Sequence, residues 1–503
     1  MNDLDVMVAR LAAENLPLAR ELLAEVIRIP ADHVAADPSC GLSNHEGPRL
    51  EYLRRRIVEI GAVRHPGDVG FDAFGNLVWT LQDPDDGIAP ADKKVIYLDG
   101  HSDTVKALRS QWIDKIGGGI DAYDGLGEGP IDREFLAREL GWLPADDEWE
   151  HLLFGRGSAD QLGGVIAQVV ASRIMLELAP HGALRGVIVR SYATVAEEDN
   201  DGGGPMYLVR EVLPGAPSEL IPDVVILTEG TGDSEKGALG IYRGQRGRMQ
   251  IEVVVTGRSC HGSMPWEGLN PLEFGAAILV EATRQHEAGE GFLDHGFLGK
   301  GTRTASWATL ESPSDCAVPD SFTFRFDRRL TVNETPEGAL EAVAGLPAVA
   351  RAREAGLQVD VRVPTYDEDT WRGYTPGNPQ IYMGWETPAE HQAVRAAAET
   401  YRRVVSPHVP EGNQGGLLRQ EPRVDRWIFS TDGVGFPVPK GSSVQVTPAK
   451  DWVDAGAFEH PAMFGCGPGI EQNTHKIGEA VDTRELQHAI AILARFPSVF
   501  AGR

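Results

Sequence analysis

The chain has 503 residues, of which 42% are hydrophobic and 24% charged, a composition typical of a globular protein large enough for two domains. Its formal net charge of −27 argues against nucleic acid and anionic membrane surfaces as partners. Four scattered cysteines without a CxxC pair argue against a disulfide framework and a thiolate zinc site. With an acidic N-terminus unlike a signal peptide and no apolar run of transmembrane length, these features predict a cytoplasmic protein.

Helix and strand signals alternate over the first half of the chain. Apolar residues recur at helical spacing from residue 5 to residue 28, which predicts an amphipathic helix. Short β-branched and aromatic runs bounded by turn residues predict buried strands. In chain order, these signals predict helices over 5–28, around Arg49–Ile60 and after Val165, and strands at Asn76–Leu81, Val95–Leu98, Val187–Val195 and Val224–Leu227.

The segment 106–152 interrupts this alternation. It is rich in glycine, aspartate and glutamate, and it includes Gly117-Gly118-Gly119. We interpret it as a long surface excursion with one short helix around Arg133–Leu140. Loops of this length often act as lids or binding loops.

The pattern changes near residue 238. Extended segments are predicted at Met249–Thr256 and Phe322–Leu330, and a helix around Pro271–His286 lies between them. Val359–Val363 has the composition of a further strand. Together these signals indicate an α+β insert over 238–365.

An α/β pattern resumes after the insert, with a helix at Glu390–Val404 and a strand at Trp427–Phe429. The predicted fold class is therefore α/β, with a mostly parallel sheet in one domain formed by residues 1–237 and 366–503. The segment 238–365 is predicted to be a second domain inserted into the first.

A histidine and an aspartate follow one predicted strand, as His101-Ser102-Asp103 after Val95–Leu98. In an open α/β sheet, ligands bind at the carboxyl edge of the strands. His101 could bind a metal there while Asp103 orients its ring.

Further carboxylates and a second histidine occupy the same kind of position, after a strand or on a glycine-rich turn. They are Asp160, Glu197, Glu198, Glu229 and His475. Nitrogen and oxygen ligands without thiolates suit Zn²⁺, Co²⁺ or Mn²⁺. Two such ions ~3.5–4 Å apart would activate a water molecule and stabilise an oxyanion.

The Glu197-Glu198 pair offers two functions at one strand end. Successive residues of a strand point in different directions, so one carboxylate can bind metal while its neighbour stays free as a general base. The alternative interpretation is a solvated acidic pair.

A set of motifs in this order resembles the M20 family of dinuclear metallopeptidases and deacylases. The motifs are HSDTV, GRGSADQLGG, AEEDNDGG, LTEGTG, GRSCHGSMPWEGLNP and GPGIEQNTH. The family includes acetylornithine deacetylase, succinyl-diaminopimelate desuccinylase and carboxypeptidase G. The segments AVPDSFTFRFDRRLT, VPTY and RWIFSTDGVG are most similar to the subgroup of selenium-metabolism-linked hydrolases. The resemblance spans nearly the whole chain and implies that the insert is a dimerisation or lid domain.

The resemblance implies a role for each candidate residue of the strand ends. It implies two divalent ions per chain, with zinc first and cobalt or manganese as alternatives. His101 and Glu229 would bind the first ion, Glu198 and His475 the second, and Asp160 would bridge them. Asp103 would orient His101, and Glu197 would be the general base.

The resemblance also implies functional residues within the insert. His261 would stabilise the oxyanion, often across a dimer interface, and Asn270 would lie near the substrate carboxylate. Arg329 matches the arginine of a D-x-R segment that binds that carboxylate, which suits its planar fork. Arg328 stays an alternative. Cys260, beside His261, could be mistaken for a nucleophile but lacks a basic group that would activate it.

The chain departs from the family at two places. Gln161-Leu162-Gly163 stands where the family commonly has Met-Lys-Gly, so a lysine near the metals is missing. The excess length between His101 and Asp160 falls in the 106–152 segment, so substrate specificity does not transfer from the family. The tryptophans, including Trp266, are expected to be packing residues.

The function predicted from these residues is hydrolysis of an amide in a small substrate that bears a carboxylate, as in N-acyl amino acid deacylases. A dipeptidase or carboxypeptidase of the same family is the nearest alternative. A homologue that binds a ligand without hydrolysis is an alternative of another class. The predicted partners are this small substrate and a second copy of the chain.

Overall fold

The computed structural model describes residues 3–31, 44–116, 119–125, 132–140, 144, 146, 148–410, 417–436, 438–439, 452–455 and 458–503. Cys40 and Gly117-Gly118 lie outside the described residues. The helices of the described part are α1 Asp3–Glu14, α2 Leu16–Ile27, α3 Gly47–Glu59, α4 Arg109–Ile116, α5 Arg133–Glu139, α6 Gly163–Glu177, α7 Glu197–Asn200, α8 Gly203–Tyr207, α9 Pro271–Ala288, α10 Pro336–Ala344, α11 Pro347–Glu354, α12 Gln392–Val404 and α13 Thr483–Phe500.

Its strands are β1 Val69–Phe71, β2 Leu77–Gln82, β3 Lys94–His101, β4 Leu152–Phe154, β5 Val187–Thr194, β6 Val224–Gly232, β7 Ile241–Gln245, β8 Gly247–Thr256, β9 Cys260–His261, β10 Asp294–His295, β11 Gly299–Lys300, β12 Thr302–Glu311, β13 Ala317–Val318, β14 Ser321–Leu330, β15 Gln358–Arg362, β16 Thr365–Tyr366, β17 Asn378–Pro379, β18 Ile381–Tyr382, β19 Trp385–Glu386, β20 Val424–Trp427, β21 Val438–Pro439, β22 Trp452–Ala455, β23 Phe458–Pro461, β24 Met463–Ile470 and β25 Ala480–Asp482.

The larger sheet has the strand order β1-β2-β5-β3-β6-β24-β7-β19, and β20 pairs with β7. Its centre, β5-β3-β6-β24, is parallel. Antiparallel pairs extend it at both sides, β1-β2-β5 on one and β24-β7-β19 on the other. The parallel centre brings the carboxyl ends of its strands to one edge, where the candidate site residues follow.

The helices α6 and α13 pack against one face of the larger sheet and bury side chains of its central strands. Ile96 and Leu98 of β3 share one apolar cluster with Val169 of α6 and Ile490 of α13, and all four side chains are fully buried. Burying such side chains stabilises the fold by roughly 1.5–3 kcal/mol each. The packing fixes β3, and therefore the position of His101 at its end.

A second sheet, in the order β12-β14-β8-β15, forms the centre of the inserted segment, and β18 pairs with β8. The alternating Phe322, Phe324 and Phe326 of β14 point to one buried face, against Ile278 of α9. The fold is thus an α/β domain with an inserted α+β unit, as predicted. The domain boundaries at 237/238 and 365/366 stay predictions.

Several elements differ from their predicted form. The helix predicted over 5–28 is two helices, because the chain breaks at Asn15 and Pro17, which has no N–H to donate, lies in the first turn of α2. Two predicted strands are longer than expected. Consequently His101 is the last residue of β3 and Glu229 lies within β6.

The 106–152 excursion is more ordered than predicted in its described part. It contains α4 as well as the predicted α5. Trp112, Leu136 and Trp149 are buried together there, in an apolar cluster with Phe154 of β4. The described part of the excursion therefore has a small apolar core of its own, which packs against β4, the strand that leads into the Asp160 turn.

Within the described residues, no helix combines the length and the apolar character needed to cross a membrane.

Candidate metal centre

His101 ends the central strand β3 and is only 1% exposed. Its Nε2 atom lies 3.0 Å from Oδ1 of Asp160 and 3.4 Å from Oε2 of Glu229. Glu229 comes from the neighbouring parallel strand β6, and Asp160 from the turn before α6. The three side chains form a first cluster whose ligand atoms all lie within 4.8 Å of one another.

Asp160 belongs to a second cluster as well. Its Oδ2 atom lies 3.0 Å from Nε2 of His475, which is in turn 3.1 Å from Oε2 of Glu198. Glu198 follows β5 and His475 follows β24, so both come from the carboxyl edge of the parallel centre. The two oxygens of Asp160 thus face two separate groups, each with one histidine and one further carboxylate.

Asp103 lies behind the first cluster and is fully buried. Its Oδ1 atom lies 3.4 Å from Nδ1 of His101. The backbone N–H groups of Glu197 and Glu198 donate to its two carboxylate oxygens at 3.2 and 3.0 Å. One carboxylate therefore orients the histidine ring and also the backbone of the acidic pair.

The electrostatics of the two clusters are dominated by carboxylates. Burial opposes protonation of His101, yet Glu197 and the carboxylates bonded to the ring raise its pKa well above the usual value. Partial burial opposes protonation of His475, whose side chain is 52% exposed, but Glu198 and Asp160 raise its pKa to about 12. Burial and the Asp160 charge raise the pKa of Glu229 to about 8. Three carboxylates face two imidazole rings in the clusters, an excess of acidic groups whose negative charge divalent cations would neutralise.

Glu197 belongs to neither cluster. It is 7% exposed, and its Oε2 atom lies 3.8 Å from Nε2 of His101. Burial raises its pKa well above the usual value, His101 opposes that rise, and Asp432 adds to it. A carboxylate beside the two clusters but outside them has the placement expected of a proton-transfer group.

The two clusters open into a cavity of about 390 Å³. Its lining combines residues of the larger sheet with arginines of the inserted sheet. Among the described residues, those that line it are Asp160, Glu197, Glu198, Asp201, Glu229, Arg248, Arg329, Phe429, Ser430, Thr474 and His475.

Two arginines lie at the rim of this cavity, opposite each other on β8 and β14. Arg248 contacts Asp201 at 2.9 Å and Asp327 at 3.2 Å, while Arg329 contacts Asp327 at 2.7 Å. The guanidinium group of Arg329 also donates to Oγ of Ser430 at 2.9 Å. Because like charges opposite each other on paired strands repel, Asp327 and Asp201 are needed to hold the two guanidinium groups there.

Arg328 has a different environment from Arg329. Its side chain is 3% exposed and paired with Glu334, and its guanidinium group lies 4.3 Å from the centre of the Phe292 ring. It is not among the residues that line the cavity.

Two candidate residues of the insert, His261 and Asn270, do not line the cavity within one chain, whereas Arg329 does. His261 is exposed on β9, with its Nδ1 atom 2.9 Å from Oγ of Ser263. Asn270 is the N-cap of α9 and accepts from the N–H groups of Leu272 and Glu273. Trp266 is 76% exposed, so its expected packing role is wrong.

The sequence analysis missed several polar residues around the site. Arg248 and Asp201 line the cavity. Asp432 lies in the segment 430–433, which resembles a family loop near the site but indicated no role, and it is buried beside Glu197. Glu479 contacts the turn that carries Asp160. The charges of Arg248 and Asp201 carried no signal by themselves, because their importance depends on strand register and loop path. Glu479 could have been noticed as an acidic residue four positions after His475.

Comparison with known proteins gives consistent matches. The model of a peptidase dimerisation domain, M20_dimer, matches residues 243–351. An uncharacterized protein of Escherichia coli K12, YgeY, is 33% identical over 492 residues, which is 96% of this chain and 98% of YgeY. The succinyl-diaminopimelate desuccinylase of Dechloromonas aromatica is 26% identical over 199 residues, covering 39% of this chain and 49% of that enzyme.

Among solved structures, the di-peptidase Dug1p from Saccharomyces cerevisiae matches with a TM-score of 0.63 and 12% sequence identity. The match covers 99% of both chains. At this identity the likeness concerns the fold, and it includes the inserted unit as well as the larger sheet.

Proposed function

Because this chain belongs to the M20 peptidase family and is thus an enzyme that acts on C–N bonds, we propose that it hydrolyses the amide of a small carboxylate-bearing substrate. The observation that carries the proposal is Asp160, whose two oxygens face two clusters with one histidine each. N-acyl amino acids are the substrate class that we favour, and the selenium-metabolism-linked hydrolases are the subgroup that we favour.

The donor set fits two divalent metal ions. Each cluster offers one imidazole nitrogen and carboxylate oxygens and no thiolate, which suits zinc first and cobalt or manganese as alternatives. His101, Asp160 and Glu229 would hold one ion, and Asp160, Glu198 and His475 the other. Bound there, the ions would polarise the amide carbonyl and make water a better nucleophile.

We assign Glu197 the role of the general base in this reaction. It lines the cavity beside the clusters. Because its neighbour in the chain, Glu198, would bind the metal, the carboxylate of Glu197 stays free. It would take a proton from the attacking water and deliver it to the leaving amine. Asp103 supports this step indirectly, since it holds the Glu197 backbone and the His101 ring together.

Substrate recognition would depend on the rim of the cavity. Arg329 presents a guanidinium group there, and such a group can bind a carboxylate through two parallel hydrogen bonds. His261 and Asn270 would complete the site only from a partner copy, because neither lines the cavity of its own chain. A homodimer formed by the inserted domain is therefore part of the proposal, as is a cytoplasmic location.

A dipeptide is the second candidate substrate. The fold of a di-peptidase matches this chain over its whole length. A dipeptide also carries the free carboxylate that Arg329 would bind. A screen of N-acyl amino acids and dipeptides side by side separates the two classes.

The experiment that tests the proposal compares two adjacent substitutions. Protein prepared without chelators should contain about two ions per chain by elemental mass spectrometry. Glu197→Gln should keep the ions but lower the hydrolysis rate by ~10²–10⁴-fold. Glu198→Gln should lose one ion. No metal in the wild-type protein, even after reconstitution, or full activity of Glu197→Gln would contradict the mechanism.

A further inference from the structure

Glu479 is a fully buried carboxylate that holds the turn carrying Asp160. Its Oε1 atom accepts three backbone N–H groups of that turn, from Gly157 at 3.0 Å and from Ala159 and Asp160 at 3.1 Å each. The φ angle of Gly157 is +88°, which favours glycine and lets the turn close around one oxygen. Converging backbone N–H groups of this kind form a site for an anion.

The second oxygen of Glu479 is paired with Arg156, which is 2% exposed. Another nitrogen of the Arg156 guanidinium group lies 3.4 Å from the backbone carbonyl of His475 and donates to it. In addition, the N–H of Gly155 donates to the carbonyl of Glu479 at 3.0 Å. The Arg156–Glu479 pair therefore joins the Asp160 turn to the segment that carries His475.

The strands next to this pair strengthen the connection. Phe154, which precedes the turn, pairs with Ala480, which follows Glu479, in the short β4-β25 ladder. The ladder fixes the two segments side by side. The ion pair then fixes the turn and the His475 backbone beyond the ladder.

Stability alone does not account for a charged pair at this depth. Burying two ions costs several kcal/mol each, and replacement of such pairs by apolar residues is often neutral or stabilising. The three N–H groups of the turn need an acceptor, because an unsatisfied buried donor costs about 1–3 kcal/mol. A neutral side chain could accept them, but it would not hold Arg156 against His475.

We propose that Glu479 and Arg156 are positioning residues that set the distance between Asp160 and His475 and thereby the affinity of the second metal cluster. The inference deepens the proposed function and rests on it. Of the candidate ligands, only Asp160 and His475 are contacted by the pair through hydrogen bonds of their backbones. Loss of the pair should therefore weaken the Asp160–Glu198–His475 cluster more than the His101–Asp160–Glu229 cluster.

The test measures metal binding rather than activity. Metal-free wild-type protein and Glu479→Gln are titrated with Zn²⁺ in competition with a chromogenic chelator, which resolves two dissociation constants. We expect the dissociation constant of the second cluster, identified as the one that Glu198→Gln removes, to rise by ~10–100-fold in Glu479→Gln, the usual effect of a residue that supports a ligand. The constant of the His101–Asp160–Glu229 cluster should change much less.

Glu485→Gln is the matched control. Glu485 is equally buried and also accepts a backbone N–H, from Gly469 at 2.9 Å, but within the described part of the chain it makes no hydrogen bond or ion pair with a ligand of either cluster. This control should bind both ions as the wild type does. A Glu479→Gln protein that is destabilised but binds both ions normally would overturn the proposal.

A second variant covers the case in which Glu479→Gln does not fold. Arg156→Lys keeps the positive charge but shortens the reach to the His475 carbonyl, and it should raise the dissociation constant of the second cluster as well. In a Glu198→Gln background, which removes the second site, Arg156→Lys should leave the remaining constant nearly unchanged. An equal effect in both backgrounds would contradict the inference, whereas a wild-type protein without metal would contradict the proposed function itself.

Discussion

The side chains at the edge of the larger sheet are buried, whereas those in the loop of the inserted unit are exposed to solvent. At the sheet edge, His101 and Asp103 are at most 1% exposed and contact each other. In the inserted loop, His261 is exposed and Trp266 is 76% exposed. The first region completes its contacts within one chain. The second presents a histidine and a large aromatic ring that contact little of their own chain, as a surface does when a partner covers it.

The electrostatic environments of the two regions also differ. Carboxylates surround the histidines of the sheet edge and raise their pKa values. In the inserted unit, burial and the nearby cations Arg303 and Lys300 lower the pKa of His286. The sheet edge is therefore suited to bind cations, whereas the surroundings of His286 are not.

The largest effect should come from Asp160→Asn. This carboxylate faces both histidines, so its loss should weaken both clusters at once. We expect most of the metal to be lost and the hydrolysis rate to fall by at least about 10³-fold. Elemental mass spectrometry and a rate assay measure the two results. The exposed Asp294 offers a control, because Asp294→Asn should change neither; full metal content in Asp160→Asn would contradict the shared ligand.

A smaller effect should follow from changes in the inserted loop. If His261 completes the site of a partner copy, His261→Ala should lower the rate by ~10²–10³-fold, as for loss of one oxyanion donor, with unchanged metal content. Mixed dimers of His261→Ala and Glu197→Gln chains should recover activity, because one of their two sites is intact.

The control for this experiment is a mixture of His261→Ala chains with themselves, treated in the same way. Recovery should appear only in verified heterodimers. Heterodimers without recovery would show that His261 acts within its own chain or not at all, and the contrast between the two regions would lose its functional meaning.

The strands of the sheet edge could be predicted because their signals are local. The apolar runs that became β3, β5 and β6 each precede an acidic or histidine residue, and parallel strands place such residues at one edge. The strand β24 gave no such signal. Its Gly465 faces the Trp427 ring and its Gly467 the carbonyl of Thr228, so close that a side chain would not fit. In the sequence these glycines suggest a loop. In the fold they are required because neighbouring residues leave no room for a side chain.

The sequence alone could not identify residues whose roles depend on the register of paired strands or on a partner chain. Arg248 stands opposite Arg329 only because β8 and β14 pair in this register. The polar composition of the 106–152 excursion predicted a surface loop. Its apolar residues, such as Trp112 and Trp149, nevertheless pack together in one cluster. The insert was recognised as a unit, but whether His261 reaches a site depends on a second chain.

Asn270→Ala should have a moderate effect on stability. The side chain caps α9, and loss of such a cap typically costs about 1 kcal/mol. Urea denaturation measures this loss, and Asn270→Ser, which keeps a capping oxygen, is the matched control. If Asn270 also binds the substrate carboxylate in a dimer, both variants should raise KM. An unchanged KM in both would leave Asn270 with the capping role alone.

The smallest effect concerns the titration of His286, which sharpens the electrostatic contrast. Because burial and the surrounding cations lower its pKa in the folded state, the unfolded chain takes up the proton first as the pH falls. Its contribution to stability is therefore complete above the ordinary pKa of about 6.5 and is lost as the pH falls through the lowered value. His286→Gln should flatten the fall in stability below this pH, as measured by urea denaturation at a series of pH values.

In the protein freed of metal by a chelator, NMR should show the opposite behaviour for His475. Its ring should stay protonated well above pH 7 and lose its proton when zinc is added. A His475 ring that titrates near its ordinary value without metal would mean that the carboxylates at the sheet edge are already neutralised by protons, and the contrast in charge between the two regions would fail.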